Sequence, residues 1–493
     1  MAAVSTTLAD TQATPFRMRS VLVPLVTIII GVFMVILDTT AVNVAIPKLV
    51  VDLHDKLSTL QWTITGYTLA QAAVIPLAGW LSDRFGAKSV FLTSVALFTI
   101  GSVLCSTAQS SSMLITFRVL QGLGGGFVLP VAMAYVYRLS PPDKVGVLMG
   151  MMGVPILFAP AIGPVLAGWL VQYHTWRLIF LINLPVGIIA MAIGMRGLPA
   201  IGRQTVAALD LPGFLLAPLA FVSISYGITE GATSWTSANT IGGIVVGAIA
   251  LAAFVVVELR ADTPLLELRV FRSLDFSLAI MVQWIAQFAL FGTLFLVPLF
   301  MQQVRLYGAF DTGLTLLPQA LAAAVAMPIG GMLFDKFGAR FLVIGGGALM
   351  ALATLMLAGV GLSTQGPDLI LPLAMYGFGM GLMLMPLNTH LINAAPRELV
   401  SRVTSLTNSC QQVVSSLTIA TLATILTSRI NAHLPTGAVT QAARLHAGSA
   451  GFDDTFTAMV VLAVIGAAMG IVLRRNRAAQ AAVPEAAAAM HAA

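Results

Sequence analysis

The feature that most constrains this chain is a series of apolar segments, each of roughly 20 to 27 residues, recurring with short polar connections from residue 21 to residue 474. A helix rises ~1.5 Å per residue, so each segment can cross a ~30 Å hydrocarbon layer. Inside that layer the backbone must satisfy its own hydrogen bonds, and the expected fold class is therefore all-α. We count about fourteen spans by this criterion. With 58% hydrophobic and 9% charged residues, the chain has far too little charge for a soluble domain. Arg17 and Arg19 precede the first apolar run, and no small-residue cleavage site follows it, so that run is expected to stay as a span.

A ten-residue pattern occurs twice between spans: Gly79-Trp-Leu-Ser-Asp83-Arg84-Phe-Gly86-Ala-Lys88 and Gly331-Met-Leu-Phe-Asp335-Lys336-Phe-Gly338-Ala-Arg340. Each copy closes one span and opens the next, which is the mark of a duplicated membrane unit. The first Gly is expected to permit close helix contact, the acid to accept hydrogen bonds at a helix terminus, and the second Gly to turn the chain. The copies lie 252 residues apart, more than six spans occupy, so two further spans near 210 to 229 and 240 to 259 are expected between the repeats.

The expected organisation is a cytoplasmic N-terminal tail (1–20), a six-helix bundle (21–197), two additional spans with cytoplasmic linkers (198–274), a second six-helix bundle (275–474) and a disordered cytoplasmic tail (475–493). With both termini in the cytoplasm, about eighteen Lys and Arg residues fall in cytoplasmic segments and about six outside. Arg84 with Lys88, Arg196 with Arg203, and Lys336 with Arg340 are among the inward pairs. The stretch from Arg260 to Arg272 alternates charged with apolar residues and is expected along the inner membrane surface. The basic residues form no stripe, so nucleic acid is not an expected partner despite a net charge of +6. Cys105 and Cys410 lie in apolar segments and indicate neither a disulfide nor a metal site.

Chemistry is expected where the bilayer makes polar groups costly. Asp38, in the first span, and Arg118, in the fourth, are each several kcal/mol too expensive for lipid unless they face a cavity or a partner. Both fall roughly 8 to 15 Å below the outer surface, at a depth where they can share an aqueous pocket. One reading of Asp38 is a structural carboxylate, capping a helix broken before Pro47 or tied permanently to Arg118. The other is a proton carrier, with desolvation and Arg118 pulling its affinity in opposite directions. Arg118 likewise has a structural reading, as a tie between helices through backbone carbonyls. In the fifth span, Gly153, Pro160, Gly163, Pro164 and Gly168 allow a kinked helix with close backbone contact, either for tight packing or for rocking. The glycines at 122, 124, 125 and 126 lack a following Lys-Ser or Lys-Thr, which excludes a phosphate-binding loop.

Together these motifs resemble the major facilitator superfamily, and within it the fourteen-span drug:proton antiporters of the EmrB/QacA type, over nearly the whole chain. The duplicated loop is similar to the superfamily signature. Arg118 with Gln121 and Gly122 is similar to its fourth-span proton-coupling pattern, and Gly153, Gly163-Pro164 and Gly168 to the antiporter motif. The run from Leu37 to Pro47, the run from Trp176 to Gly187 and the Pro264 to Arg272 stretch are similar to the fourteen-span branch. The resemblance implies a proton-coupled exporter of hydrophobic, drug-like compounds in the inner (plasma) membrane, with no cofactor and the proton gradient as its energy source. Asp38 and Arg118 would then carry proton coupling.

For the substrate cavity the sequence offers amides and aromatics. Gln283 and Gln287 are one turn apart; Asn388 lies in a later span; Asn408, Gln411 and Gln412 fall at mostly helical spacing. Asn43, Trp62, Tyr67, Gln71, Gln121 and Trp284 complete the candidate set. Such groups line a wet cavity or, equally, bond helix to helix. The near absence of acids in the second half disfavours dicationic substrates and favours neutral, zwitterionic or monocationic ones. The outer segment from Arg429 to Thr455 is long enough to dock a periplasmic adaptor protein, and equally reads as a plain connection. The competing functions are a proton-linked importer or exporter of a specific metabolite and, remotely, a polytopic membrane enzyme. For the latter no nucleophile or metal cluster is visible, and His390 stands isolated in its span.

Overall fold

The structure is a computed structural model and describes residues 18–139, 145–200, 210–231, 234–261, 264–393, 400–435 and 440–472. Arg203, most of the expected N-terminal tail and the expected C-terminal tail lie outside these residues. The described residues form helices and no strand. The first half contains α1 (Met18–Asp52), α2 (Leu57–Leu60), α3 (Trp62–Val74), α4 (Leu77–Phe85), α5 (Ala87–Ser106), α6 (Ser111–Leu139), α7 (Val145–Tyr173), α8 (Arg177–Leu181) and α9 (Asn183–Gly197). Then come α10 (Leu211–Gly231) and α11 (Ala238–Arg260). The second half contains α12 (Leu274–Gln303), α13 (Ala309–Phe337), α14 (Ala339–Ala358), α15 (Ile370–Asn393), α16 (Val400–His433) and α17 (Gln441–Met469).

Twelve of the helices searched are long and apolar enough to cross a membrane, thirteen if the pair Leu57–Val74 and Leu77–Phe85, bent by 54°, is one span. That bend sits at Pro76, whose ring and missing N–H interrupt the helical ladder. The segment expected at 145–172 is the 29-residue helix α7. Helix starts are set locally: the hydroxyls of Ser237, Ser273 and Thr440 accept from the backbone N–H of Thr240, Phe276 and Ala443 and cap α11, α12 and α17. At both signature loops the second glycine alone turns the chain. Gly86 has φ 89° and Gly338 φ 75°, a region open to glycine and strained for side chains. The first glycines differ from expectation: a side-chain atom at Gly79 or Gly331 would meet nothing within 4 Å, so neither makes a close helix contact here.

The apolar core divides in a telling way. One cluster joins both halves, from Ala41–Leu49 on α1 through Phe295–Met301 on α12 to Leu422 and Leu426 on α16. This is the sealed end of the molecule. At the opposite end, where the signature loops lie, two clusters remain separate, one built from residues of the first half (Leu25 to Leu198) and one from α11 and the second half (Phe254 to Leu406). Polar contacts repeat the division. Gln302 donates to the Val44 carbonyl at 2.9 Å, and the Phe310 N–H to Gln172 at 2.8 Å, both across the halves at the sealed end.

Helix α10 bonds to both halves: Gln61 donates to Thr229 at 3.1 Å and Thr424 to the Ile228 carbonyl at 3.1 Å. Its remaining faces, with those of α11, expose Leu215, Leu219, Val245 and Ile249, as a lipid-facing pair should. The Pro264–Arg272 stretch turns Leu266 and Val270 into the second-half core and Arg269 and Arg272 outward. Two expectations are corrected. The Arg429–Thr455 segment is mostly the ends of α16 and α17, which extend past the expected spans because their polar residues find partners on each other, His433 facing Asp454 at 3.0 Å. His390 is not isolated: its ring lies 3.1 Å from Asp275 on α12.

Candidate functional site

Asp38 and Arg118 meet inside the first half. Arg118 Nη1 lies 2.5 Å from Asp38 Oδ2, and both side chains have no solvent exposure. The other carboxylate oxygen accepts from Gln121 at 3.1 Å and from Asn183 at 2.9 Å. Those two amides also donate to Ser102, at 2.6 and 3.0 Å, so α1, α5, α6 and α9 converge on one carboxylate. Arg118 is held in turn by the Thr63 carbonyl at 2.9 Å and by Gln121 Oε1 at 2.7 Å. Its guanidinium lies 3.8 Å from the centre of the Tyr67 ring, a cation–π contact in a desolvated setting. Nη2 has no hydrogen-bond partner among the described residues. Each charge is thus balanced by the other, the condition for burying either.

The helices reach this arrangement through glycine. Side-chain atoms at Gly122, Gly124 and Gly126 would collide with the backbone of α3 or α5, so the run on α6 is a close-packing surface. Gly163 on α7 does the same against α1: a side-chain atom there would strike the Thr40 hydroxyl and come within 3.2 Å of the Leu37 carbonyl, beside Asp38. Farther along α7, Pro164 and Gly168 abut Gly313 and Ala309 of α13. Helix α7 is therefore wedged between the charge pair's helix and the second half. Gly153 lies on this helix, and Asp335 in the last turn of α13. Arg84 stacks on Trp80, 5.0 Å from its ring, and Lys88 donates to the Met195 carbonyl at 2.8 Å. Lys336 is exposed.

A cavity of about 310 Å³ lies between the halves. Gln71, Gln287, Asn408, Gln411 and Gln412 line it, as does Pro160. Gln412 donates to Gln71 at 2.9 Å, an amide bridge from one half to the other across the cavity wall. Seven other candidates do not line it. Asn43 donates weakly into its own helix, to the Thr39 and Thr40 carbonyls. Tyr67 and Gln121 are occupied by the charge pair, and Gln283 by Asn388 at 2.5 Å. Trp284 faces Phe271, while Trp62, half-buried, lies at the start of α3. Asp38 and Arg118 do not line the cavity either, so they share no aqueous pocket with it.

Five polar residues are not singled out by the sequence. Ser102 and Asn183 complete the Asp38 shell, and their only signal was polarity in otherwise apolar spans. Thr39, Thr40 and Gln319 line the cavity, Gln319 with a carbonyl oxygen that has no partner among the described residues.

Two helical halves of membrane-spanning length, enclosing a cavity that belongs to both, define a polytopic membrane transport protein. The family model described as Major Facilitator Superfamily matches residues 28–419, and the chain belongs to that family. It is 36% identical over 400 residues to the multidrug resistance protein B homolog of Mycobacterium tuberculosis, covering 80% of this chain and 74% of that one. It is 30% identical over 447 residues to the lincomycin resistance protein LmrB of Listeria monocytogenes, covering 90% and 95%. Among solved structures it resembles a bacterial homolog to the human lysosomal transporter Spinster, with TM-score 0.65, 17% identity, and 93% and 97% of the two chains covered.

Proposed function

We propose that this protein is a proton-coupled antiporter that expels hydrophobic, drug-like compounds across the inner membrane by alternating access. In this reading it crosses the bilayer fourteen times, α7 included, with both termini and both signature loops in the cytoplasm. The open end then faces the cytoplasm, where the cavity takes up substrate. The observation that carries the proposal is the fully buried Asp38–Arg118 pair one residue behind the cavity-lining Thr39. The resistance-protein names of relatives at 30 to 36% identity support the same reading.

Coupling follows from the separation of the two sites. Because Asp38 does not line the cavity, proton and substrate do not compete for one group; each favours a different arrangement of the halves, which suffices for exchange. A proton on Asp38 removes its negative charge, and with it the attraction to Arg118 Nη1. Arg118 keeps the Thr63 carbonyl, Gln121 Oε1 and the Tyr67 ring, while α1 becomes free to shift against Gly163 on α7. Rocking of α7 against α13 would then open the sealed end. Expression in an efflux-deficient bacterial host, with a panel of antibiotics and dyes, tests the proposal. Raised resistance to several hydrophobic compounds is expected; unchanged resistance to every compound would refute the multidrug reading.

A further inference from the structure

The cavity contains no ionisable side chain among its described lining residues. Its polar groups are the neutral hydroxyls of Thr39 and Thr40 and the amides of Gln71, Gln287, Gln319, Asn408, Gln411 and Gln412, set in an apolar wall that includes Phe291 and Met327. Beyond that wall, behind Thr39, lie the buried charges Asp38 and Arg118, 2.5 Å apart and spent on each other. A cation in this cavity would lose most of its hydration and meet no opposite charge. Uncompensated burial of a charge costs several kcal/mol, and each 1.4 kcal/mol is a factor of ten in affinity. Amide dipoles repay part of that cost for a cation, and hydrogen-bond a neutral polar group without any such cost.

We infer that the cavity selects compounds that are uncharged when bound: apolar molecules carrying hydrogen-bonding groups, with weak bases entering as the free base and permanent cations rejected. This rests on the export reading only in treating the cavity as the substrate site. It concerns equilibrium recognition and needs neither transport nor a proton gradient. A corollary is that one carboxylate set among the amides would create the missing counter-charge. Gln287, on α12, is placed for this because it is 8% exposed and lines the cavity.

The test uses two probes on one scaffold, N-phenyl-1-naphthylamine and the same molecule bearing a trimethylammonium group, bound to the purified full-length protein in lipid nanodiscs. The wild type is expected to bind the neutral probe at least ~10-fold more tightly. Gln287→Glu is expected to shift that ratio toward the cation by ~10-fold or more. Asn408→Asp on α16 gives the same reading should Gln287→Glu fail to assemble as a monodisperse protein. Equal binding of the two probes by the wild type, or an unchanged ratio in the folded acidic variant, would overturn the inference while leaving export untouched. Neutral-selective binding without any outward transport would instead sink the export reading and leave the selectivity standing.

Discussion

The Thr39 hydroxyl lies 3.3 Å from the Tyr67 hydroxyl, and this contact links a cavity-lining residue to one that covers a buried charge. Thr39 faces the cavity, while the Tyr67 ring covers the Arg118 guanidinium at 3.8 Å. Tyr67→Phe removes the hydroxyl contact and keeps the ring. A neutral hydrogen bond contributes about 1 kcal/mol, so substrate binding should change by less than ~10-fold. The number of protons moved per substrate should fall, as read from paired substrate and pH measurements in proteoliposomes.

Arg118 and Asp38 should behave as a unit. Arg118→Leu strands a carboxylate in the membrane interior and is expected to cost about 3–5 kcal/mol, seen as a lower melting temperature in detergent. Adding Asp38→Asn removes the stranded charge and should recover most of the lost stability without restoring coupled transport.

Contact between α1 and α7 depends on Gly163 having no side chain. Gly163→Ala places a methyl group against the Thr40 hydroxyl and should slow transport in a protein that still folds. Combining it with Thr40→Ala deletes the nearest colliding atom, and transport is expected to recover in part.

The two glycines of the first signature loop should differ. Gly86→Ala forces a side chain to φ 89° and ψ 133° and should destabilise by about 1–3 kcal/mol. Gly79→Ala enters open space and should leave the melting temperature unchanged. Any transport defect in Gly79→Ala would then belong to an arrangement in which the open end has closed.

Much of the helical architecture is legible in the sequence because length and apolarity act locally: among the described residues the expected spans fall in helical segments, twelve or thirteen of them long and apolar enough to cross a membrane, and Gly86 and Gly338 turn as their repeat requires. Asp38 and Arg118 stand out because lipid makes such residues rare. The cavity is less legible. Gln283 and Gln287 look equivalent one turn apart, yet Gln283 bonds to Asn388 and Gln287 faces the void. Polarity says that an amide needs a partner and does not say whether another helix or a ligand supplies it. Thr39 gives no signal in the sequence because a threonine can satisfy itself within its own helix, as this one does through the Val35 carbonyl at 2.9 Å. His390 and Asp275 are 115 positions apart, and only the fold reveals their approach.

The most direct test of proton coupling through Asp38 is substrate-driven proton movement in proteoliposomes under an imposed pH gradient, comparing the wild type with Asp38→Asn. Adding substrate should change the internal pH of wild-type vesicles, and the same addition should leave Asp38→Asn vesicles unresponsive although substrate still binds. Equal proton movement in both would contradict the account and return Asp38 to a purely structural role.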